Sequence, residues 1–334
     1  MVVVMRGMTP WSTMEAITIL VMEVFGMSIP SSSEHKNPGV VVGFDGSPHA
    51  IDALYWAAQT AALRNAPLTV ASAFVFPYSD YIRSMSGAQV EDPARRLAED
   101  KLAEAEKLLA EQRYPGEVSY RALIGDATDW LVKLSADAQL IVVGRRGLGK
   151  FWGSVLGSVA SALPAHAHCP TVIVYSADSG DEAETKGIAT TPDTRPVAVG
   201  VDGSDLARNA ALVAAQEAKR LGVTLELIQA QPHFTGTSTV WYLASNEKME
   251  QQIHEDMMSS LMAEVQFLQH EVPGVEISPV VERKLPAEAM IDCTQRAQLT
   301  VLGTRGHGGF ASLLLGSVSR TTLSHARGTV MIVP

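Results

Sequence analysis

One glycine pattern occurs twice in this 334-residue chain, with the same internal spacing in both copies. The copies are Gly144-Arg145-Arg146-Gly147, nine further residues and Gly157-Ser158, and Gly303-Thr304-Arg305-Gly306, nine further residues and Gly316-Ser317. Their first glycines and their last glycines are each 159 residues apart. A turn that only connects two elements has no reason to keep a nine-residue gap, so we interpret the pattern as a repeat with a shared chemical role.

Each copy follows an apolar run that predicts a buried strand, at 140–143 and at 299–302. A strand, a glycine-rich loop and a helix form a common phosphate site, because the first N–H groups of a helix are unpaired and carry partial positive charge. Glycines let the backbone approach the phosphate oxygens. The alternative is that these glycines only make a tight connection between strand and helix.

The repeat extends over both halves of the chain. Residues 40–47 (VVVGFDGS) match residues 197–204 (VAVGVDGS) at an offset of 157, and each segment predicts a first strand ending in a turn. A chain of this length has room for two domains of about 150 residues each. We predict a disordered N-terminal extension over 1–36, a first domain over 37–177, a linker over 178–195 and a second domain over 196–334.

Strand and helix signals alternate within each half. The further predicted strands are Leu68–Ala73, Val118–Ala122 and Thr171–Tyr175, and then Thr224–Ala230, Val275–Val280 and Thr329–Val333. Such alternation favours a parallel sheet with right-handed crossovers. We therefore predict an α/β protein of two tandem Rossmann-like domains, each an open five-stranded parallel sheet of order 3-2-1-4-5 flanked by helices.

The charge balance and the cysteines limit the partners. The formal net charge is −10, whereas a nucleic-acid surface needs clustered positive charge, so we expect no nucleic-acid binding. No stretch approaches the roughly 20 apolar residues that cross a bilayer, so we expect no membrane association. Cys169 and Cys293 form neither metal-ligand spacing nor a disulfide framework, which favours a cytoplasmic location.

Two widespread nucleotide motifs do not fit the glycine loops. The first copy matches G-x-x-x-x-G-K up to Lys150, but Phe151 stands where a P-loop needs a Ser or Thr to bind Mg²⁺, and the second copy has Gly309 in place of the lysine. The Rossmann pattern G-x-G-x-x-G fails at its last position, which is Trp152 in one copy and Ala311 in the other.

An aspartate follows the first strand of each half. In a sheet of order 3-2-1-4-5 a ligand binds at the carboxyl ends of strands one and four, where the order reverses. This places Asp45 beside Gly144 and Asp202 beside Gly303. Two interpretations stay open: each carboxylate contacts ribose hydroxyls or a phosphate-bound metal, or it only caps the following turn.

These segments resemble the universal stress protein family, and in particular its tandem-domain, ATP-binding members common in actinobacteria. The resemblance rests on Asp45-Gly46-Ser47, on the two G-2x-G-9x-G-S loops and on residues 166–170 (HAHCP), and it covers 38–175 and 196–334. It implies an adenine nucleotide alpha hydrolase-like fold with ATP in each domain, adenine near the ends of the first two strands, and the triphosphate on the glycine loop with Mg²⁺.

Carried over by position, the resemblance implies cofactor-binding residues in both halves. In the first half they are Gly43, Asp45, Gly144, Arg145, Arg146, Gly147, Leu148, Gly149, Lys150, Gly157 and Ser158. In the second half they are Gly200, Asp202, Gly303, Thr304, Arg305, Gly306, His307, Gly308, Gly309, Gly316, Ser317, Val318 and Ser319. No catalytic residue is predicted, because no nucleophile, base and orienting group recur in both halves; any metal ligands are left open.

The two copies differ at one position that bears on affinity. ATP-binding members of the family often carry a second hydroxyl two residues after the Gly-Ser pair; Ser319 supplies it in the second half, but Ala160 stands in the first. We therefore expect tighter binding in the second half.

The resemblance favours a stress or dormancy regulator in which ATP alters conformation or partner choice. The alternatives are a slow ATPase or phosphotransferase, and a sensor of AMP or a cyclic nucleotide. It also implies that the two domains pair through their fifth strands, with a homodimer and an unidentified protein partner as further expectations.

Overall fold

The computed structural model describes residues 38–74, 93–148, 156–175, 187–188, 191–231, 247–307 and 314–334. The predicted extension over 1–36 and most of the predicted linker lie outside these ranges. The described residues belong to one compact unit. None of the described helices is long and apolar enough to cross a membrane.

In the first half, strands and helices alternate. The strands are β1 (Val40–Gly43), β2 (Leu68–Phe74), β3 (Val118–Ile124), β4 (Leu140–Gly144) and β5 (Thr171–Val174). The helices are α1 (Pro48–Arg64), α2 (Pro93–Glu111), α3 (Ala127–Ser135) and α4 (Ser158–His166).

The second half repeats this order. The strands are β6 (Val197–Gly200), β7 (Leu225–Ala230), β8 (Ile277–Glu282), β9 (Leu299–Gly303) and β10 (Val330–Val333). The helices are α5 (Asp205–Leu221), α6 (Glu247–Glu271), α7 (Pro286–Arg296) and α8 (Ser317–His325).

The ten strands form one sheet in the order β3-β2-β1-β4-β5-β10-β9-β6-β7-β8. Within each half the neighbouring strands are parallel and follow the predicted order 3-2-1-4-5. At the centre β5 and β10 pair antiparallel, with Val172 opposite Met331. The predicted α/β class with tandem Rossmann-like halves is confirmed.

The apolar strand sequences follow from burial on both faces of the sheet. Successive strand residues point to opposite faces, so Val40 and Val42 join the core layer that contains Leu54 of α1, whereas Val41 joins the layer that contains Leu131 of α3. All three valines are fully buried. A strand covered on both faces needs a continuous apolar run, and this is why the runs before the turns carry no polar alternation.

The same cap starts the first helix of each half, directly after the aspartate. The Ser47 hydroxyl accepts the N–H of Ala50 at 3.2 Å, and the Ser204 hydroxyl accepts the N–H of Ala207 at 3.2 Å. Such a side-chain cap pairs one of the free N–H groups at a helix start. The caps fix where each helix begins and thereby hold the aspartate at the carboxyl end of the sheet.

A buried ion pair joins a helix of the first half to a helix of the second. Arg64 Nη2, at the end of α1, lies 2.6 Å from Glu217 Oε1 of α5, and the two side chains are only 9% and 6% exposed. Glu217 also accepts a hydrogen bond from Arg220. Burial lowers the pKa of Arg64, and the charge of Glu217 opposes that shift. The guanidinium therefore depends on Glu217 to compensate its lost hydration.

Candidate functional site

A cavity of about 570 Å³ opens at the carboxyl ends of β1 and β4, where the strand order reverses. Its lining includes Gly43, Asp45, Gly144, Gly147 and Ser158. The volume falls within the range typical of small-molecule and cofactor sites. The fold thus brings candidates from three separate segments of the first half to one place.

The carboxylate of Asp45 connects the end of β1 to the glycine loop. Its Oδ1 accepts the N–H of Ser47 at 3.0 Å, and its Oδ2 accepts the N–H of Leu148 at 2.9 Å. The sequence left open whether this residue caps a turn or contacts a ligand. Asp45 caps the turn at Ser47 and also bonds to the glycine loop at Leu148, and we call this pair of hydrogen bonds the clasp. Each carboxylate oxygen retains a lone pair for a further donor.

Asp202 makes the same connection in the second half. Its Oδ1 accepts from the N–H and the hydroxyl of Ser204, at 3.0 and 2.7 Å, and its Oδ2 accepts from the N–H of His307 at 2.8 Å. Burial alone would raise the pKa of Asp202, but the hydrogen bonds from Ser204 and His307 outweigh it and hold that pKa below its usual value. The Asp202 side chain that holds the second loop is therefore an ionised carboxylate near neutral pH.

The hydrogen bonds of the aspartate explain why the second position of each pattern is a glycine. A Cβ added at Gly147 would lie 2.3 Å from Asp45 Oδ2, and one added at Gly306 would lie 2.1 Å from Asp202 Oδ2. Any side chain at either position would push the carboxylate away from the loop. The aspartate and the glycine of each copy therefore form one structural unit.

The first glycines of the two copies are under different constraints. A Cβ at Gly144 would lie 2.4 Å from the backbone oxygen of His49, whereas the nearest atoms to a Cβ at Gly303 are the backbone oxygens of Arg305 and Leu206 at 3.2 Å. Only Gly144 is closed to a side chain by rigid backbone.

Helix α4 begins at the cavity without a side-chain cap. Its N-cap residue is Gly157, and the first N–H bonded back into the helix belongs to Ser161, which donates to the Gly157 carbonyl at 3.0 Å. The N–H groups of Ser158, Val159 and Ala160 precede that bond, and these residues line the cavity. Uncapped N–H groups beside a cavity favour an anionic ligand.

The hydroxyl on which the predicted affinity difference rests has a structural partner. Ser319 is 4% exposed, and its Oγ donates to the carbonyl oxygen of Gly303 at 2.7 Å. Ala160, its counterpart, is 2% exposed within the apolar core layer. The Ser319 hydroxyl thus bonds to the backbone at the start of the second loop. This contact gives no physical reason for tighter nucleotide binding there.

The two loop arginines of the first half point to different surroundings. Arg146 lines the cavity. The guanidinium of Arg145 lies 5.7 Å from the ring centre of Tyr175, whose hydroxyl donates to the carbonyl of Leu323 in α8. Burial raises the pKa of Tyr175 well above its usual value. Arg145 therefore packs towards the second half, and Tyr175 is a contact that the glycine pattern could not reveal.

In the second loop, Arg305, Gly306 and His307 are exposed, whereas Thr304 is buried. Val318 packs against the apolar core. Gly149, Lys150, Gly308 and Gly309 lie outside the described residues. Across the part of the chain that is described, no three His, Cys, Asp or Glu side chains are grouped as metal ligands.

Sequence reasoning missed the apolar wall of the cavity. Ala71 and Ala73 of β2, Leu123 of β3 and Leu131 of α3 line it opposite the glycine loop. Small residues at the carboxyl end of β2 are the signal that could have indicated it, because Ala71 pairs in register with Gly43. The cavity combines an apolar wall on one side with free N–H groups and an arginine on the other.

The chain matches the family model described as "Universal stress protein family" over residues 38–175 and 194–334. A universal stress protein of Mycobacterium tuberculosis strain H37Rv is 34% identical over 305 residues, which cover 90% of this chain and 98% of that protein. A second one from the same strain is 32% identical over 306 residues, with the same coverage of both chains.

A solved structure gives the same result for the fold. The crystal structure of a universal stress protein from Archaeoglobus fulgidus aligns with a TM-score of 0.57 at 18% identity, covering 89% of this chain and 98% of that one.

Proposed function

This chain belongs to the universal stress protein family, and from that premise we propose that it is a regulatory protein that binds ATP in the cavity of its first half. Nucleotide occupancy would change its conformation or its choice of partner. The observation that carries the proposal is the uncapped start of α4 at a cavity of about 570 Å³. Helices α1 and α3 both have side-chain caps, from Ser47 and Asp126.

Each part of the cavity suits one part of the ligand. The apolar wall formed by Ala71, Leu123 and Leu131 offers a dry surface for the flat face of adenine. The backbone N–H groups at the start of α4 and the guanidinium of Arg146 can donate to phosphate oxygens. Asp45 holds the loop that carries Arg146 and retains acceptor capacity for a ribose hydroxyl.

Mg²⁺ would enter this site on the nucleotide. Asp45 is the one carboxylate among the described residues that line the cavity, and both of its oxygens already accept N–H groups. The donor set therefore suits a metal held mainly by phosphate oxygens and water, as Mg²⁺ usually is. Bound there, the ion would neutralise part of the triphosphate charge.

The same residues favour binding over turnover. Hydrolysis needs a base that orients and deprotonates water, and Asp45 is engaged in the clasp. A slow ATPase remains the second candidate, and a sensor of AMP or a cyclic nucleotide the third. Two separate groups of donors, the start of α4 and the glycine loop that carries Arg146, suit a chain of phosphates better than the single phosphate of AMP, which favours ATP.

Purification without added nucleotide tests the proposal. We expect the full chain, purified under native conditions and then denatured, to release ATP that mass spectrometry identifies, and the stripped protein to bind ATP more tightly than AMP or cyclic AMP. Release of AMP or a cyclic nucleotide with the tighter affinity would support the sensor instead. Repeated turnover of ATP would support the enzyme, and no binding of any adenine nucleotide would overturn the proposal.

Three further features are part of the proposal. The domains would span 37–177 and 196–334, joined by the linker 178–195, and would pair through their fifth strands; the register of β5 against β10 supports this. The protein would act in the cytoplasm, supported by two cysteines that are buried and free of disulfides. A homodimer and a protein partner would transmit the signal.

A further inference from the structure

We infer that each chain binds one adenine nucleotide, in the first half, because side chains of the second half occupy the place where its base would lie. This inference rests on the proposed function and replaces the expectation of two sites with the tighter one in the second half. The residues that carry it are Ile228, Met290, Leu302 and Glu282, none of which belongs to the repeated glycine pattern.

Strand register identifies the equivalent positions. Ala71 of β2 pairs with Gly43 of β1, and Ile228 of β7 pairs with Gly200 of β6. Both Ala71 and Ile228 belong to the core layer on the same face of the sheet. The second half thus carries a branched four-carbon side chain where the first half has a methyl group at the cavity wall.

Two further side chains crowd the equivalent glycine more closely. A Cβ added at Gly200 would lie 2.8 Å from Met290 Sδ and 3.0 Å from Leu302 Cδ2. At Gly43 the corresponding atoms belong to Leu131 and Val143, at 3.1 and 3.3 Å. The side chains above the end of β6 therefore lie closer to its glycine than those above the end of β1.

The cavity wall formed by β3 also differs in charge from the equivalent surface of β8. Leu123 lines the first cavity and pairs in register with Ala73. In the second half Ala230 takes the position of Ala73, and its partner in register is Glu282. Glu282 Oε1 lies 3.3 Å from Arg296 Nη2, and Glu226 Oε2 lies 3.1 Å from Arg296 Nε. A cluster with two carboxylates and one guanidinium is a poor surface for a neutral aromatic base, which would have to displace its water.

The two glycine loops themselves are alike. Both are clasped by an aspartate and both lead into a helix that starts without a side-chain cap. The difference between the halves therefore lies in the wall for the base, in strands and a helix remote in sequence from the loop. This is why the loop pattern alone predicts a site in each half.

Titration calorimetry of the stripped full chain with Mg-ATP tests the inference through the number of sites. We expect one site per chain. Ala71→Ile should weaken that site at least tenfold, because the larger side chain fills the wall for the base. The double variant Ile228→Ala/Leu302→Val gives the second half the residues of the first half at these two positions. It should leave the affinity of the first site within about twofold and create a second, weaker site.

The outcomes separate this inference from the proposed function. Two sites in the unaltered chain, or one site that is insensitive to Ala71→Ile and lost in the Ile228→Ala/Leu302→Val chain, would overturn the inference and leave ATP binding intact. No heat and no bound ATP in any of the three proteins would overturn the proposed function itself. Thermal unfolding of each variant verifies that it is folded before binding is measured.

Discussion

Replacement of Gly147 by alanine is expected to weaken ATP binding by roughly 10- to 100-fold. The new Cβ would lie 2.3 Å from Asp45 Oδ2, so the carboxylate must release the N–H of Leu148 and the loop must move. A hydrogen bond to a charged group contributes about 1.5–3 kcal/mol, and each 1.4 kcal/mol is about a factor of ten in affinity. Calorimetric titration of the full chain with Mg-ATP measures the loss.

The matched variant is Gly306→Ala, which makes the same contact in the second half at 2.1 Å from Asp202 Oδ2. It should disturb the second loop to a similar extent while leaving the affinity for ATP within about twofold. Equal weakening by both variants would show that the second half takes part in binding, and no weakening by Gly147→Ala would contradict the role of the clasped first loop.

Replacement of Glu217 by glutamine is expected to lower the free energy of unfolding by about 3 kcal/mol. The change leaves the guanidinium of Arg64, whose side chain is 9% exposed, without a charged partner in a poorly hydrated place. Removal of one member of a buried ion pair costs about 3–5 kcal/mol. Urea denaturation followed by circular dichroism measures the change.

An exposed pair provides the control. Arg95 and Glu99 lie one helical turn apart in α2 with side chains about half exposed, and such pairs contribute about 0.3–0.5 kcal/mol. Glu99→Gln should therefore hardly change the free energy of unfolding. The double variant Arg64→Met/Glu217→Leu should recover most of the loss, because an apolar pair can replace a buried ion pair. A loss for Glu217→Gln as small as that for Glu99→Gln would contradict this account.

The fold could be predicted from the sequence because its signals are local and occur twice. Continuous apolar runs such as 140–143 are what a strand buried on both faces requires, and serines such as Ser47 start the following helices. The strand ends were less accurate: β3 extends to Ile124, past the predicted Ala122, because it pairs with β2 along its full length.

The site was only partly predictable. The aspartate and the glycine loop are conspicuous in sequence, and the predicted strand order placed them side by side, as the hydrogen bond from Leu148 to Asp45 displays. The tighter binding predicted from the Ser319 hydroxyl stays a prediction, and only the three-dimensional structure shows that this hydroxyl donates to the carbonyl oxygen of Gly303. The wall residues Ala71 and Ile228 both occupy apolar positions of their strands, so their different sizes had no meaning until the register was known.

The central claim is that ATP binds in the first half, and the position of ATP in a crystal of the full chain grown with Mg-ATP tests it most directly. The account predicts density for adenine against Ala71 and Leu131, and density for phosphates at Arg146 and the start of α4. Nucleotide density confined to the second glycine loop, or none at a concentration that saturates the protein in solution, would contradict it.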